Sequence, residues 1–134
     1  MPTTTGYALS GTTSLSFTDA VARVRETLGE EGFGVLTEID VQATLREKLG
    51  EEVAPYLILG ACSPPYAHRA LELEAELGTL LPCNVVVYEH DGATRVSAVD
   101  PAAMLSIVGN PALEPVAAEI REKLERAVAK VWEA

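Results

Sequence analysis

The sequence predicts an α+β domain with a mixed five-stranded sheet and helices packed mainly on one face of that sheet. Short apolar runs typical of strands alternate with helical patterns in the first half of the chain. An Asp91-Gly92 pair between two further apolar runs predicts an antiparallel hairpin. Apolar residues then recur at helical spacing from Val116 to Val131. The predicted order of elements is βαβαβαββαα, and alternation followed by a hairpin favours a mixed sheet.

The first half of the chain reads as three strands separated by two helices. Residues 7–13 alternate weakly and predict the first strand, and Ser16 is a suitable N-cap for an amphipathic helix that follows. A second strand is predicted at residues 34–39, and Asp40 then caps a short helix. The apolar run at residues 56–61 has the length of a buried strand.

Proline marks the start of each later helix, because the first helical positions have no intrahelical use for an N–H group. One predicted helix begins at residues 63–65 and keeps apolar spacing as far as Leu77. The two strands of the predicted hairpin occupy residues 84–88 and 94–99. The last two predicted helices begin at Asp100-Pro101 and Asn110-Pro111.

Length and composition indicate one domain over residues 1–134. Apolar residues make up 48% of the chain and charged residues 22%, which is typical of a folded globular domain. Residues 1–6 lack the basic and apolar regions of a secretory signal. The longest apolar runs fall far short of the roughly 20 residues that span a bilayer. We therefore expect a cytoplasmic protein.

The charge balance excludes some classes of partner. Twenty acidic and ten basic residues give a formal net charge of −10, and the basic residues form no stripe. Such a surface repels phosphate backbones and anionic lipid, so we expect neither nucleic acid nor a membrane as partner. Two cysteines are too few for a disulfide framework. The scarcity of Asn and Gln is a trait reported for thermophile proteins.

Cys62 is the strongest candidate for a reactive or metal-binding residue. It lies between a predicted strand and a predicted helix, and the N–H groups and dipole of a helix start favour an anion. We therefore expect a lowered thiol pKa, which a nucleophilic or metal-binding cysteine requires. The alternative is a small buried residue with no chemical role, because free cysteine is among the most buried residue types.

Three further residues extend this candidate site. If the strand after Cys83 pairs antiparallel with the strand that ends at Cys62, the two thiols meet at one end of the sheet. Together with His68 in the next helix they are candidate ligands for a soft metal. Asn84, beside Cys83, is included as a candidate ligand-binding residue. The cysteine spacing is not that of a structural zinc site, and no specific cofactor is indicated.

The remaining polar residues have simpler interpretations. His90 beside Asp91-Gly92 is expected to be a solvated turn residue. Glu38, Asp40 and Glu89 follow predicted strands, where carboxylates commonly cap helices or line solvated rims. None of the common motifs of hydrolases, metalloproteases, EF-hands or dinucleotide-binding proteins is present, which lowers the prior for an enzyme.

Four stretches resemble the signature of the family called domain of unknown function 302. They are residues 59–65, residues 80–87, the turn Asp91-Gly92 and the pair Asp100-Pro101. The resemblance extends over nearly the whole chain. It implies a compact α+β fold that is commonly dimeric, and it brings no established reaction and no catalytic residues.

Three functional hypotheses follow from these observations. The first is a homodimer that binds a small ligand or a soft metal ion near Cys62 and Cys83, its second copy covering the bare sheet face. The second is an interaction protein whose sheet face or last helix docks a partner, with both cysteines buried and inert. The third is an enzyme that uses Cys62 as nucleophile or redox thiol. We rank them in that order.

Overall fold

Six strands and five α-helices make up the computed structural model, which describes residues 2–134 and the side chains of residues 5–134. Met1, the first residue of the predicted domain, lies outside the described residues. The strands are β1 (Pro2–Thr4), β2 (Ala8–Thr13), β3 (Gly34–Asp40), β4 (Tyr56–Cys62), β5 (Cys83–His90) and β6 (Ala93–Val99). The helices are α1 (Phe17–Glu30), α2 (Val41–Leu49), α3 (Pro64–Leu73), α4 (Pro101–Ser106) and α5 (Glu114–Trp132).

All six strands form one sheet in the order β1-β2-β6-β5-β4-β3, and every neighbouring pair is antiparallel. The α+β class is confirmed. The predicted mixed sheet of five strands is corrected in two respects. The short strand β1 adds a sixth strand at one edge, and β4 returns antiparallel beside β3 although a helix separates them in sequence. Alternating elements show where strands lie but not how they pair, which explains the difference.

Two predicted helices end or begin differently in the structure. The helix predicted from residue 63 to Leu77 stops at Leu73, and a 3₁₀ helix (Ala75–Thr79) follows it. Another 3₁₀ helix (Pro111–Leu113) precedes α5, so α5 begins at Glu114. Within residues 2–134, none of the helices combines the length and hydropathy that crossing a bilayer requires.

Helices cover one face of the sheet, as the sequence predicted. Alternate strand residues such as Leu59, Val85 and Val96 are fully buried and belong to one core cluster with residues of α1 and α5. Val24 in α1 and Leu124 in α5 have no exposed surface in this cluster. Each such side chain contributes about 1.5–3 kcal/mol by leaving water, so this layer is the main source of stability.

The opposite face of the sheet, here called the open face, is lined by the other alternate residues. Strand register places Ser10, Ile58, Val86, Tyr88, Arg95, Ser97 and Val99 on it. Among the described residues of β2 to β6, Arg95 is the only lysine, arginine or carboxylate on this face. Its Nε donates to the Tyr88 hydroxyl at 3.2 Å, and the Tyr88 ring stacks on Tyr56 with centroids 4.9 Å apart.

The end of α5 is fixed to the sheet through Trp132. Its indole Nε1 donates to the carbonyl oxygen of Val96 in β6 at 2.9 Å. The ring lies over Gly11 in β2 so closely that a Cβ there would stand 2.6 Å from indole atoms. Only glycine leaves room for this contact.

Candidate functional site

The two cysteines meet at one end of the sheet. Cys62 is the last residue of β4 and Cys83 the first of β5, and the antiparallel register pairs Ala61 with Cys83. Both thiols are free, and both line the same cavity. Cys62 is partly buried and Cys83 is buried. The antiparallel pairing on which the sequence prediction depended is therefore present.

This cavity has a volume of about 200 Å³ and lies between the ends of β4 and β5, helix α3 and the 3₁₀ helix at 75–79. Its walls are mostly apolar, and they include Phe33, Ala67, Leu77, Leu81, Leu105 and Ile120. Two other lining residues are well exposed, Leu36 at 65% and Leu71 at 40%. The cavity therefore opens to the surface through an apolar mouth.

Ser63 is a polar residue in the lining of this mostly apolar cavity. It occupies the N-cap position of α3, yet its side chain makes no capping hydrogen bond. Nor does its Oγ bond to any other residue within the described part of the chain. The residue is only 8% exposed and lines the cavity. Its hydroxyl is therefore free to bond to a molecule inside.

The expected lowering of the Cys62 pKa is wrong. Burial raises the pKa of the Cys62 thiol, and burial together with the neighbouring Cys62 raises the pKa of Cys83 to about 11. Pro64 and Pro65 occupy the first two positions of α3 and carry no N–H group, so the helix start has lost donors that would stabilise a thiolate. Both thiols are protonated at neutral pH and are poor nucleophiles.

His68 and Asn84 do not join the cysteines. The His68 side chain is 78% exposed and lies outside the cavity lining, with its Nδ1 3.3 Å from the Glu72 carboxylate. Asn84 is exposed on β5 and is also outside the lining. Across residues 5–134, no three His, Cys, Asp or Glu side chains are grouped in a way that could hold a metal ion. The structure brings together two of the four predicted site residues.

The other polar residues have the structural roles expected of them. Asp40 caps α2 by accepting from the Ala43 N–H at 2.9 Å, and Glu38 pairs with Arg25 at 2.6 Å. His90 is exposed beside Asp91 at the hairpin turn.

Comparison with known proteins identifies the family of this chain. The model of the family described as domain of unknown function DUF302 matches residues 9–131. The chain belongs to the DUF302 family. It is also similar to a crystal structure of an uncharacterized conserved protein DUF302 from Bacillus stearothermophilus. That similarity has 31% identity and a TM-score of 0.88, and it covers 92% of this chain and 97% of the other. No curated protein sequence matches the chain significantly.

Several residues of the cavity in this DUF302 protein escaped sequence analysis. Ser63 was seen only as the start of a helix, Tyr66 was not singled out, and Ile120 belonged only to the helically spaced apolar residues of the last helix. Their common wall depends on packing between α3 and α5, which are about 50 residues apart in sequence. The one available signal was the Ser63-Pro64-Pro65 sequence, because a cap followed by two prolines leaves the helix start poor in donors.

Proposed function

We propose that this DUF302 protein binds a small, largely apolar ligand in the cavity beside Cys62 and Cys83. The observation that supports the proposal is that Ser63 lines an apolar cavity and its hydroxyl has no hydrogen-bond partner among the described residues. The Ser63 Oγ keeps access to solvent, because the described side chains include no buried nitrogen or oxygen atom without a hydrogen-bond partner. A ligand that hydrogen-bonds to Ser63 replaces solvent there, and such a bond contributes about 0.5–1.5 kcal/mol.

The dimensions and chemistry of the cavity agree with such a ligand. A cavity of about 200 Å³ is far larger than the roughly 10–15 Å³ that holds a single water molecule, so it has room for a small organic molecule. Apolar walls give water few partners, whereas they favour an apolar body. Ligand sites usually combine apolar walls with a few polar groups that orient the ligand. Ser63 supplies that orienting group here.

The two thiols fit this function better than catalysis or metal binding. Protonated thiols behave as small apolar wall groups, and the raised pKa of both cysteines opposes a nucleophilic role at neutral pH. A soft metal ion would have to displace both protons and would gain only two protein ligands. Two free thiols at one cavity support the proposal of a reducing compartment such as the cytoplasm.

A series of straight-chain alcohols from butan-1-ol to decan-1-ol tests the proposal by isothermal titration calorimetry. Affinity should rise with chain length until the cavity is filled and then level off or fall. Ala67→Leu fills the cavity from a helical wall position and should abolish binding, whereas Ala43→Leu, exposed on α2, should leave it unchanged. Ser63→Ala should weaken binding about 3- to 10-fold through loss of one hydrogen bond. Equal binding to wild type and Ala67→Leu would overturn the proposal.

We also propose that the protein is a homodimer joined through the open face. Interface cores are poor in charged residues and rich in tyrosine and arginine, and the open face combines one arginine with the stacked Tyr56 and Tyr88. Two copies that each have a net charge of −10 repel each other unless they meet where acidic groups are missing. The open face of the described strands offers such a surface.

Analytical ultracentrifugation of matched variants tests the dimer. Ile58 lies half-buried on the open face, and Leu49 lies exposed on α2. Ile58→Glu should shift the protein from dimer to monomer, since it places two carboxylates in the interface, while Leu49→Glu should remain dimeric. A wild-type protein that sediments as a monomer at 100 µM would contradict the proposal and favour docking of a different partner.

A further inference from the structure

Two cationic side chains lie beside Tyr66, a residue of the cavity lining. Tyr66 of α3 lines the cavity, and the guanidinium carbon of Arg69 lies 5.6 Å from the centre of its ring. The ammonium nitrogen of Lys123, on α5, lies 6.0 Å from the same ring centre. Lys123 follows the cavity-lining Ile120 by three residues, so both lie on one side of α5. Two of the ten basic residues therefore flank one lining residue of the cavity, although neither of them lines it.

Lys123 has no ion-pair partner within residues 5–134, although acidic residues outnumber basic ones twofold. The carboxylates near it are already paired. Glu119 lies 3.3 Å from Arg69, and Glu31 lies 3.0 Å from Arg126 and 3.6 Å from Lys130. Lys123 acts on Glu31 only at longer range, as a minor contribution to its lowered pKa. Its ammonium group is available to an anion from outside the chain.

Tyr66 and Ser63 add hydrogen-bond donors beside this cation. They stand one helical turn apart at the start of α3, and side chains three residues apart share a helix face. The Tyr66 hydroxyl, like that of Ser63, has no hydrogen-bond partner among the described side chains and backbone groups. The α3 side of the cavity thus has two hydroxyls without hydrogen-bond partners among the described residues, and the Lys123 ammonium group lies next to the Tyr66 ring.

We infer that the ligand is an amphipathic carboxylate, with its apolar chain in the cavity and its carboxylate among Ser63, Tyr66 and Lys123. The inference rests on the proposed function and names the class of ligand. A carboxylate deep in the apolar part would lose its hydration without compensation, so the polar side of the cavity is where it is stable. The net charge of −10 disfavours anions at long range, and Lys123 opposes that repulsion locally.

Octanoate and octan-1-ol, which have the same chain length, separate charge recognition from burial of the chain. We expect calorimetry at low salt to give octanoate about 3- to 10-fold higher affinity than octan-1-ol, the range of a partly screened ion pair with hydrogen bonds. Lys123→Gln should remove this preference and leave octan-1-ol binding unchanged. Lys48→Gln changes net charge equally, on a lysine of α2 without an ion pair among the described residues, and should keep the preference. Tyr66→Phe should weaken octanoate binding more than octan-1-ol binding.

The outcomes distinguish the inference from the proposed function beneath it. If octan-1-ol binds and Ala67→Leu abolishes this binding, but octanoate binds no more tightly, the ligand is neutral and only the inference is overturned. Equal weakening of octanoate binding by Lys123→Gln and Lys48→Gln also overturns it, because general charge then explains the preference. If neither octan-1-ol nor octanoate binds, the cavity is not a ligand site, and both the proposed ligand binding and the inferred ligand class are overturned.

Discussion

At the scale of single residues, environment changes what a residue type can do. Cys62 stands at a helix start, where a lowered pKa was expected, but burial raises its pKa. Sequence showed the cysteine and the prolines side by side. It did not show that Cys83, Leu77 and Ile120 would line the same cavity as Cys62, since they come from distant parts of the chain. The position was predictable and its chemistry was not.

The raised pKa of Cys83 predicts a loss of stability at alkaline pH. The folded thiol keeps its proton up to about pH 11, whereas the unfolded thiol loses it near pH 9, so its contribution is complete below pH 9 and falls as pH rises towards 11. Between pH 8 and 10.5 the unfolding free energy of the wild type should fall by about 1–2 kcal/mol more than that of Cys83→Ala. Urea denaturation at both pH values measures the difference, and parallel losses in the two proteins would show that Cys83 does not contribute.

Gly11 should tolerate no side chain. A methyl group there meets the Trp132 indole, and overpacking of this kind costs about 1–3 kcal/mol. Gly11→Ala should therefore lower the unfolding free energy by that amount. Gly29→Ala in α1, where an added Cβ meets nothing within 4 Å, should be neutral or stabilising by up to about 1 kcal/mol. Similar stability of Gly11→Ala and wild type would show that the indole moves aside easily.

At the scale of elements, the helices differ in what they contribute. Helix α5 buries seven residues, among them Leu124 and Val128, and contacts both α1 and the sheet. Helix α2 has the apolar spacing of an amphipathic helix in sequence but buries none of its residues. Periodicity identified both helices, because it reflects the local repeat. It did not indicate how much each one buries, since that depends on the elements around it.

Matched leucine truncations measure this difference. Leu124→Ala in α5 removes a fully buried side chain and should cost about 2–5 kcal/mol. Leu49→Ala in α2 removes a side chain that is 68% exposed and should change stability by less than about 0.5 kcal/mol. Chemical denaturation of both variants gives the comparison. A large loss for Leu49→Ala would instead show that α2 is covered by another surface in solution.

At the scale of the whole molecule, sequence predicted the fold class, most strands and helices, the hairpin and the helix-covered face. It missed the pairing of β3 with β4 and the sixth strand, because strand order depends on contacts between distant segments. The cavity was missed for the same reason. Its walls come from β4, β5, α3, a 3₁₀ helix, α4 and α5, and no local pattern records their convergence.

Because burial differs along the chain, we expect some segments of the native protein to unfold locally more often than others. Residues 41–54 are at most partly buried, whereas β4, β5 and β6 form the centre of the sheet. In hydrogen exchange followed by mass spectrometry, peptides from α2 and the loop after it should exchange well before those of the central strands. Equal protection of the two regions would indicate that α2 is covered in solution.

The contact between Trp132 and Gly11 also provides an optical probe. Trp132 is the only tryptophan in the chain, and it lies outside the lining of the cavity. Its emission should therefore change when α5 separates from β2 and β6, and remain constant when the cavity fills. The intrinsic fluorescence of the unlabelled protein can follow unfolding during ligand titrations, because occupancy and denaturation give separate signals.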